Sequence, residues 1–247
     1  MFSQNNIATL ILSLAASLIA LSVHEFSHAF AAYKLGDSTA KDMGRLSINP
    51  LKHLDPFGTL CMVFFHFGWA RPVPINPGNF EKPRAHFAIS ALAGPLSNIV
   101  LGFFSAPIYL LLMKVFIYTD SNAFLNSLML NTVLFFGLFH IVNIGLGIFN
   151  LIPMPPFDGS RIVNVLLPER TYFKVMKYEK KIYLGVIAWM LLGDYIYKAL
   201  ISIRFIKSSA FLSGFARIFS FSGLISDAID FFSGIILKFW QLMPFLS

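Results

Sequence analysis

Two imidazoles and a carboxylate fall within five consecutive residues at His24-Glu25-x-x-His28. On a helix, residues four apart lie one turn above each other on the same face, so His24 and His28 can point two ring nitrogens at one divalent cation. Glu25 lies about 100° further round the helix, close enough to address a water on that cation without ligating it. The chemistry this suggests is hydrolysis by an activated water. A catalytic zinc takes three protein ligands and keeps a fourth position open. A third ligand must therefore come from elsewhere in the chain.

Asp158 is the candidate, in the stretch Asn150-Leu151-Ile152-Pro153-Met154-Pro155-Pro156-Phe157-Asp158-Gly159. Its three prolines stop a helix and force an irregular segment that can turn the carboxylate, and Gly159 allows a close backbone approach. The histidines lie within one long apolar run, and the Asp158 stretch closes another. No Asp, Lys or Arg lies between Met1 and Val23, and the apolar run starting near Ile7 continues past His28. A bilayer core about 30 Å thick needs about 20 apolar helical residues. Residues 7–33, 86–113 and 121–152 meet that requirement, and 182–203 is a weaker fourth run carrying Asp194 and Lys198. Residues 1–23 start Met1-Phe2-Ser3-Gln4 without the basic start of a secretory signal and continue apolar past His28, so they read as part of the first span. A Glu and two His inside a membrane helix carry a desolvation cost that structure alone does not justify, which favours metal binding over packing.

The 247-residue chain is 56% hydrophobic and 13% charged, with a net charge of +7. The fold class expected is an all-α polytopic membrane protein of about 4–6 transmembrane helices, with a re-entrant or β-like segment between the first two. The basic residues collect between apolar runs, seven in 34–84 and six in 161–181, and no nucleic-acid motif accompanies them. They read as orientation signals that place both segments, and the ends of the helices bearing His28 and Asn150, on the cytoplasmic side. A lone Cys61 excludes an internal disulfide and a thiolate zinc site. Between the first two spans, Phe57 to Ala70 is apolar but too short to cross as a helix, so it reads as re-entrant or interfacial. The alternating prolines of Arg71-Pro72-Val73-Pro74-Ile75-Asn76 suit an edge strand able to receive an extended peptide, or a plain surface loop.

Other polar residues are read more simply. Ala93-Gly94-Pro95-Leu96-Ser97-Asn98 suits close helix packing. His140 and Asn143 share a helix face and suit interhelical hydrogen bonds, with support of the metal site as the alternative. His53 reads as a solvated loop residue or a neighbour of the site, His66 and His86 as interfacial, and Lys174, Lys177, Lys180 and Lys181 as contacts to anionic headgroups. In the tail, Ser220, Gly223, Ser226, Asp227, Asp230 and Ser233 face one way and Phe221, Leu224, Ile225, Ile229 and Phe232 the other, an amphipathic pattern for an interfacial helix, a lining helix or a fifth span. The expected division is a core at 1–205 and a membrane-associated tail at 206–247.

His24-Glu25-x-x-His28, Gly94-Pro95-x-x-Asn98, and Asn150-x-x-Pro153 followed by Asp158-Gly159 together resemble the site-2 proteases, intramembrane zinc metalloproteases, in particular their short prokaryotic branch without a PDZ domain. Asn49-Pro50-Leu51-Lys52-His53-Leu54-Asp55-Pro56-Phe57-Gly58 is also similar to that family, whereas Phe157 stands where Leu usually precedes Asp-Gly. The resemblance implies one zinc per chain on His24, His28 and Asp158, Glu25 as the acid/base, and Asn150 positioning substrate or stabilising the oxyanion. It implies transmembrane protein substrates cut near the cytoplasmic side, from a multi-pass protein of the prokaryotic cell (inner) membrane. A metal-ion transporter is the rival reading, since intramembrane His and Asp also line ion paths.

Overall fold

The structure is a computed structural model and describes residues 7–58, 60, 70–119 and 122–246. Nine α-helices are described, with no strand among those residues. α1 (Ile7–Lys34), α2 (Thr39–Asp42), α3 (Pro83–Tyr118), α4 (Ala123–Asn150), α5 (Gly159–Leu166), α6 (Glu169–Ser202), α7 (Arg204–Ser208), α8 (Ala210–Arg217) and α9 (Phe221–Gln241) follow in chain order. α1, α3, α4 and α6 are each long and apolar enough to cross a membrane, and α8 with α9, bent by 95°, makes a fifth if the pair counts as one span. The chain is an all-α polytopic membrane protein.

α1, α3 and α4 form the central bundle, with α3 and α4 in the most extensive contact. Small residues make that approach possible, because a lipid environment supplies no hydrophobic drive and helices must associate by close packing. A Cβ added at Gly102 would lie 2.5 Å from Ile144 Cδ1, and one at Gly147 would lie 2.6 Å from Ile99 Cγ1. α1 ends in a Schellman cap. Gly36 takes φ +110° and the Asp37 N–H reaches the Ala32 carbonyl at 2.9 Å. α3 runs through both Pro95 and Pro107. Pro107 has no N–H for the Phe103 carbonyl, and that carbonyl accepts the Trp240 indole N–H at 3.0 Å, docking α9 on α3.

The segment between α1 and α3 is pinned by side chains. Asn49 and Asn76 each accept a backbone N–H two residues on, starting the 3₁₀ turns Pro50–Lys52 and Pro77–Asn79. Leu54 and Ala70 form an isolated antiparallel bridge, and the Arg71 N–H donates to the His53 carbonyl at 2.8 Å. Most of the expected re-entrant piece, with Cys61 and His66, lies outside the described residues. The 71–76 segment is no edge strand: Pro72 and Pro74 have no donors, and the Val73 and Asn76 N–H groups are taken by carboxylates of the α1 region. α6 starts at Glu169, thirteen residues before the apolar run suggests, because Lys174 to Lys181 continue the helix as an amphipathic extension that hydropathy alone does not see. In the tail, α9 packs against α3, α4 and α6.

Candidate metal centre

Three atoms from two distant parts of the chain converge. His24 Nε2 and His28 Nε2 are 3.0 Å apart, and each lies 3.2 Å from Asp158 Oδ2. Both histidines are buried, and their rings meet edge to face. No other group of three His, Cys, Asp or Glu among the described residues could hold a metal ion in this way.

Hydrogen bonding behind the rings sets their tautomers. Asn98 spends its amide N–H groups on the Ala20 carbonyl, at 3.1 Å, and on Asn143 Oδ1, at 2.9 Å. Its oxygen is left to accept from His24 Nδ1 at 2.6 Å. His28 Nδ1 faces the Ser90 carbonyl at 2.8 Å, which can only accept. Each Nδ1 therefore carries the hydrogen and each Nε2 presents a lone pair, an assignment that rests on the network. Two lone pairs and a carboxylate oxygen facing one another repel unless a cation lies between them. Asp158 Oδ2 is itself buried with no hydrogen-bond donor. A tetrahedral zinc with bonds of about 2.0–2.1 Å has ligand-to-ligand edges of about 3.3–3.4 Å. The residues fit a zinc ion in donor type, number and spacing.

Backbone shape lets the three meet. A Cβ on Gly94 would fall 2.4 Å from the His28 ring and 2.8 Å from His24 Cε1, so α3 can approach the histidines only with glycine there. A Cβ on Gly159 would strike the Leu151 and Ile152 carbonyls at 2.3 and 2.5 Å, so the chain can fold back and present Asp158 only with glycine there too.

Glu25 is buried beside the pair, and its Oε2 accepts the Val73 N–H at 2.8 Å. Val73 is fixed from both sides. Buried Arg45 donates to the Arg71 carbonyl at 2.6 Å, and fully buried Asp37 accepts the Asn76 N–H at 2.8 Å and the Asn79 amide at 2.7 Å. Burial pushes the Asp37 carboxyl up, but its hydrogen bonds from Thr39, Asn76 and Asn79 outweigh that and hold it below the usual carboxylate range. Burial and neighbouring Arg71 draw the Arg45 guanidinium down, against the pull of Glu25.

His24, Glu25, His28, Asn150 and Asp158 all line one cavity of about 840 Å³, walled by Val73 and Ile75 on one side and Tyr183, Ile187 and Met190 of α6 on another. Asn150 donates its side-chain N–H to the Leu146 carbonyl at 3.0 Å. The structure brings these five residues together and leaves others out. His53 is neither solvated nor at the site: it is 1% exposed, with Nε2 on the Ser47 carbonyl. His140 bridges the Gly102 carbonyl and Ser233, and His86 packs against Phe80. Asn143 does support the site, through Asn98. Sequence reasoning missed the orienting role of Asn98 and the holding roles of Val73, Arg45 and Asp37. The available signals were a lone Asn within an apolar helix and its place in the Gly94-Pro95-x-x-Asn98 motif.

Fold and site together define a class: a polytopic membrane protein with two buried histidines and a half-buried aspartate, able to hold a metal ion, beside a glutamate. Residues 11–193 match the model of peptidase family M50. The chain belongs to that family, the site-2 proteases, and is a zinc metalloprotease. It is 42% identical over 162 residues to "Putative zinc metalloprotease YwhC" of Bacillus subtilis (strain 168), covering 66% of this chain and 72% of that protein. It is 30% identical over 166 residues to "Putative zinc metalloprotease Rip2" of Mycolicibacterium smegmatis, covering 62% of this chain and 56% of that protein. A protein of the same name from Mycobacterium tuberculosis is 26% identical over 153 residues, so the chain spans little more than half the length of the Rip2 relatives. No solved structure matches the chain at a comparable level.

Proposed function

We propose that this chain is an intramembrane endopeptidase that cuts transmembrane segments of membrane proteins near the cytoplasmic face, with one zinc ion held by His24, His28 and Asp158. The observation that carries the reading is the convergence of three ligand atoms beside Glu25, in a cavity walled by helices long enough to span a bilayer. The basic segments at 34–84 and 161–181 support a cytoplasmic placement in a prokaryotic cell (inner) membrane.

When bound, zinc supplies a Lewis acid and lowers the pKa of a coordinated water towards about 7. The chain's residues do the rest. Asn98 and the Ser90 carbonyl hold the two imidazoles with their lone pairs inward. The Val73 N–H holds one oxygen of Glu25, so the carboxylate is aimed to take the water's proton and return it to the leaving amine. Asn150 is placed in the cavity wall to orient the substrate or stabilise its oxyanion. A substrate helix hides its carbonyls in i to i−4 hydrogen bonds and must unwind before it enters. The cavity side of the 71–76 segment is where the unwound stretch lies.

Glu25→Gln tests the assignment. The variant keeps one zinc per chain and loses cleavage of a membrane-helix substrate in reconstituted vesicles. Retained cleavage, or a simultaneous loss of zinc, contradicts the role given to Glu25. A transporter would show no such separation.

A further inference from the structure

We infer that Phe221, in the C-terminal segment beyond the family match, is a positioning residue for Asp158. The inference rests on the zinc-ligand reading above. Asp158 follows a proline-broken stretch whose neighbouring Phe157 is anchored in a buried cluster, with Ile152 and Met154 of the same stretch packed against it. Phe157 is 3% exposed and shares one buried cluster with Val186 of α6 and Phe221 of α9. Phe149 packs edge to face on Phe157 at 4.5 Å between ring centres, and Phe221 packs on Phe149 at 6.0 Å and on Trp189 at 4.8 Å. The Phe157 carbonyl accepts both the N–H and the hydroxyl of Ser160, which ties the residue into the start of α5.

Phe221 is itself held. It opens α9, and the preceding Ser220 donates to Asp194 Oδ1 of α6 at 2.8 Å and accepts the Gly223 N–H at 3.1 Å. A Cβ on Gly193 would lie 2.2 Å from the Phe219 carbonyl, so α6 lies directly against this turn. Further along, Ser233 bonds His140 of α4 and Trp240 bonds the Phe103 carbonyl of α3. α9 is thus attached to three helices, and its first residue braces the loop that carries the third ligand. The histidines depend on other contacts, Asn98 and Ser90 of α3. Phe221 therefore acts on the metal through Asp158 and not through His24 or His28.

The test is zinc affinity of the full-length protein in detergent, measured by competition with a chromophoric chelator and read beside thermal unfolding. Phe221→Ala weakens zinc by about 10-fold, the lower end of what removing a ligand's support costs. Phe221→Leu, which keeps most of the bulk, recovers most of that loss. In an Asp158→Ala background the same Phe221→Ala change costs less than about 2-fold, because the ligand it positions is gone. Trp240→Phe, which loosens α9 far from the loop, lowers thermal stability and leaves zinc affinity unchanged. Should Phe221→Ala not fold, Phe221→Val makes the same comparison with a smaller loss. An equal loss in both backgrounds, or no loss in a folded variant, overturns the positioning role while leaving the zinc assignment standing. A zinc affinity indifferent to Asp158→Ala overturns the zinc assignment, and the positioning role with it.

Discussion

His24 is aimed by its far side. Asn98 turns its oxygen to Nδ1 because its amide N–H groups are committed to Ala20 and Asn143, so a carbonyl of α1 and a second buried asparagine together determine which ring nitrogen faces the metal position. Asn98→Ala removes that acceptor and strands Asn143 Oδ1. The expected outcome is a 10- to 100-fold loss of zinc affinity by chelator competition, with the helical content intact. An unchanged affinity would mean that the ring orientation is set by something else. The candidate ligands were legible in the sequence as residue types, because i, i+4 histidines and a proline-stopped Asp-Gly turn leave a local signature, and the structure brings their ligand atoms together. Asn98 and Gly94 stood out in the sequence as a helix-packing pattern and as part of a family motif, neither of which states what their side chains touch. Their task is set by where α3 passes α1, which no local pattern encodes.

At the scale of elements, the 71–76 segment holds the glutamate. With prolines on both sides, the Val73 N–H is the donor that Glu25 uses, while Arg45 and Asp37 fix the ends of the segment. Val73→Pro deletes that donor in a setting already suited to proline. A hydrogen bond to a charged group contributes about 1.5–3 kcal/mol, so kcat falls by about 10-fold or more while zinc content stays at one per chain. Loss of zinc instead would show that the segment supports the ligands and not the base. The alternating prolines made this segment stand out in the sequence and suggested an edge strand. The suggestion failed because its donors are consumed by buried carboxylates, and a period-2 pattern cannot reveal a side-chain acceptor 48 residues away.

For the whole molecule, the four long helices were legible because hydropathy over about 20 residues is a strong signal. The docking of α9 was not, since its amphipathic face suits a membrane surface as well as a helix bundle. The same distinction between local and distant partners governs stability. Asp37 joins the end of α1 to α2 through Thr39 and to the 3₁₀ turn ahead of α3 through Asn76 and Asn79, and a carboxyl whose folded pKa lies below its unfolded value stabilises the fold where it is ionised. That contribution is complete above about pH 5 and fades as pH falls through the carboxylate range, near about 3.9 for an unperturbed Asp. Asp37→Asn is expected to cost about 2 kcal/mol at neutral pH, and the gap in thermal midpoint between the two proteins should narrow below about pH 4. A gap that does not change with pH would place the effect in packing and not in charge.

The convergence of His24, His28 and Asp158 on one ion is the claim on which the rest depends, and X-ray absorption at the zinc edge of the purified protein tests it most directly. The account expects one zinc per chain with two imidazole nitrogens and oxygen ligands at about 2.0–2.2 Å, and a spectrum that loses an oxygen scatterer in Asp158→Ala and an imidazole in His24→Ala. A zinc environment indifferent to both substitutions would contradict it.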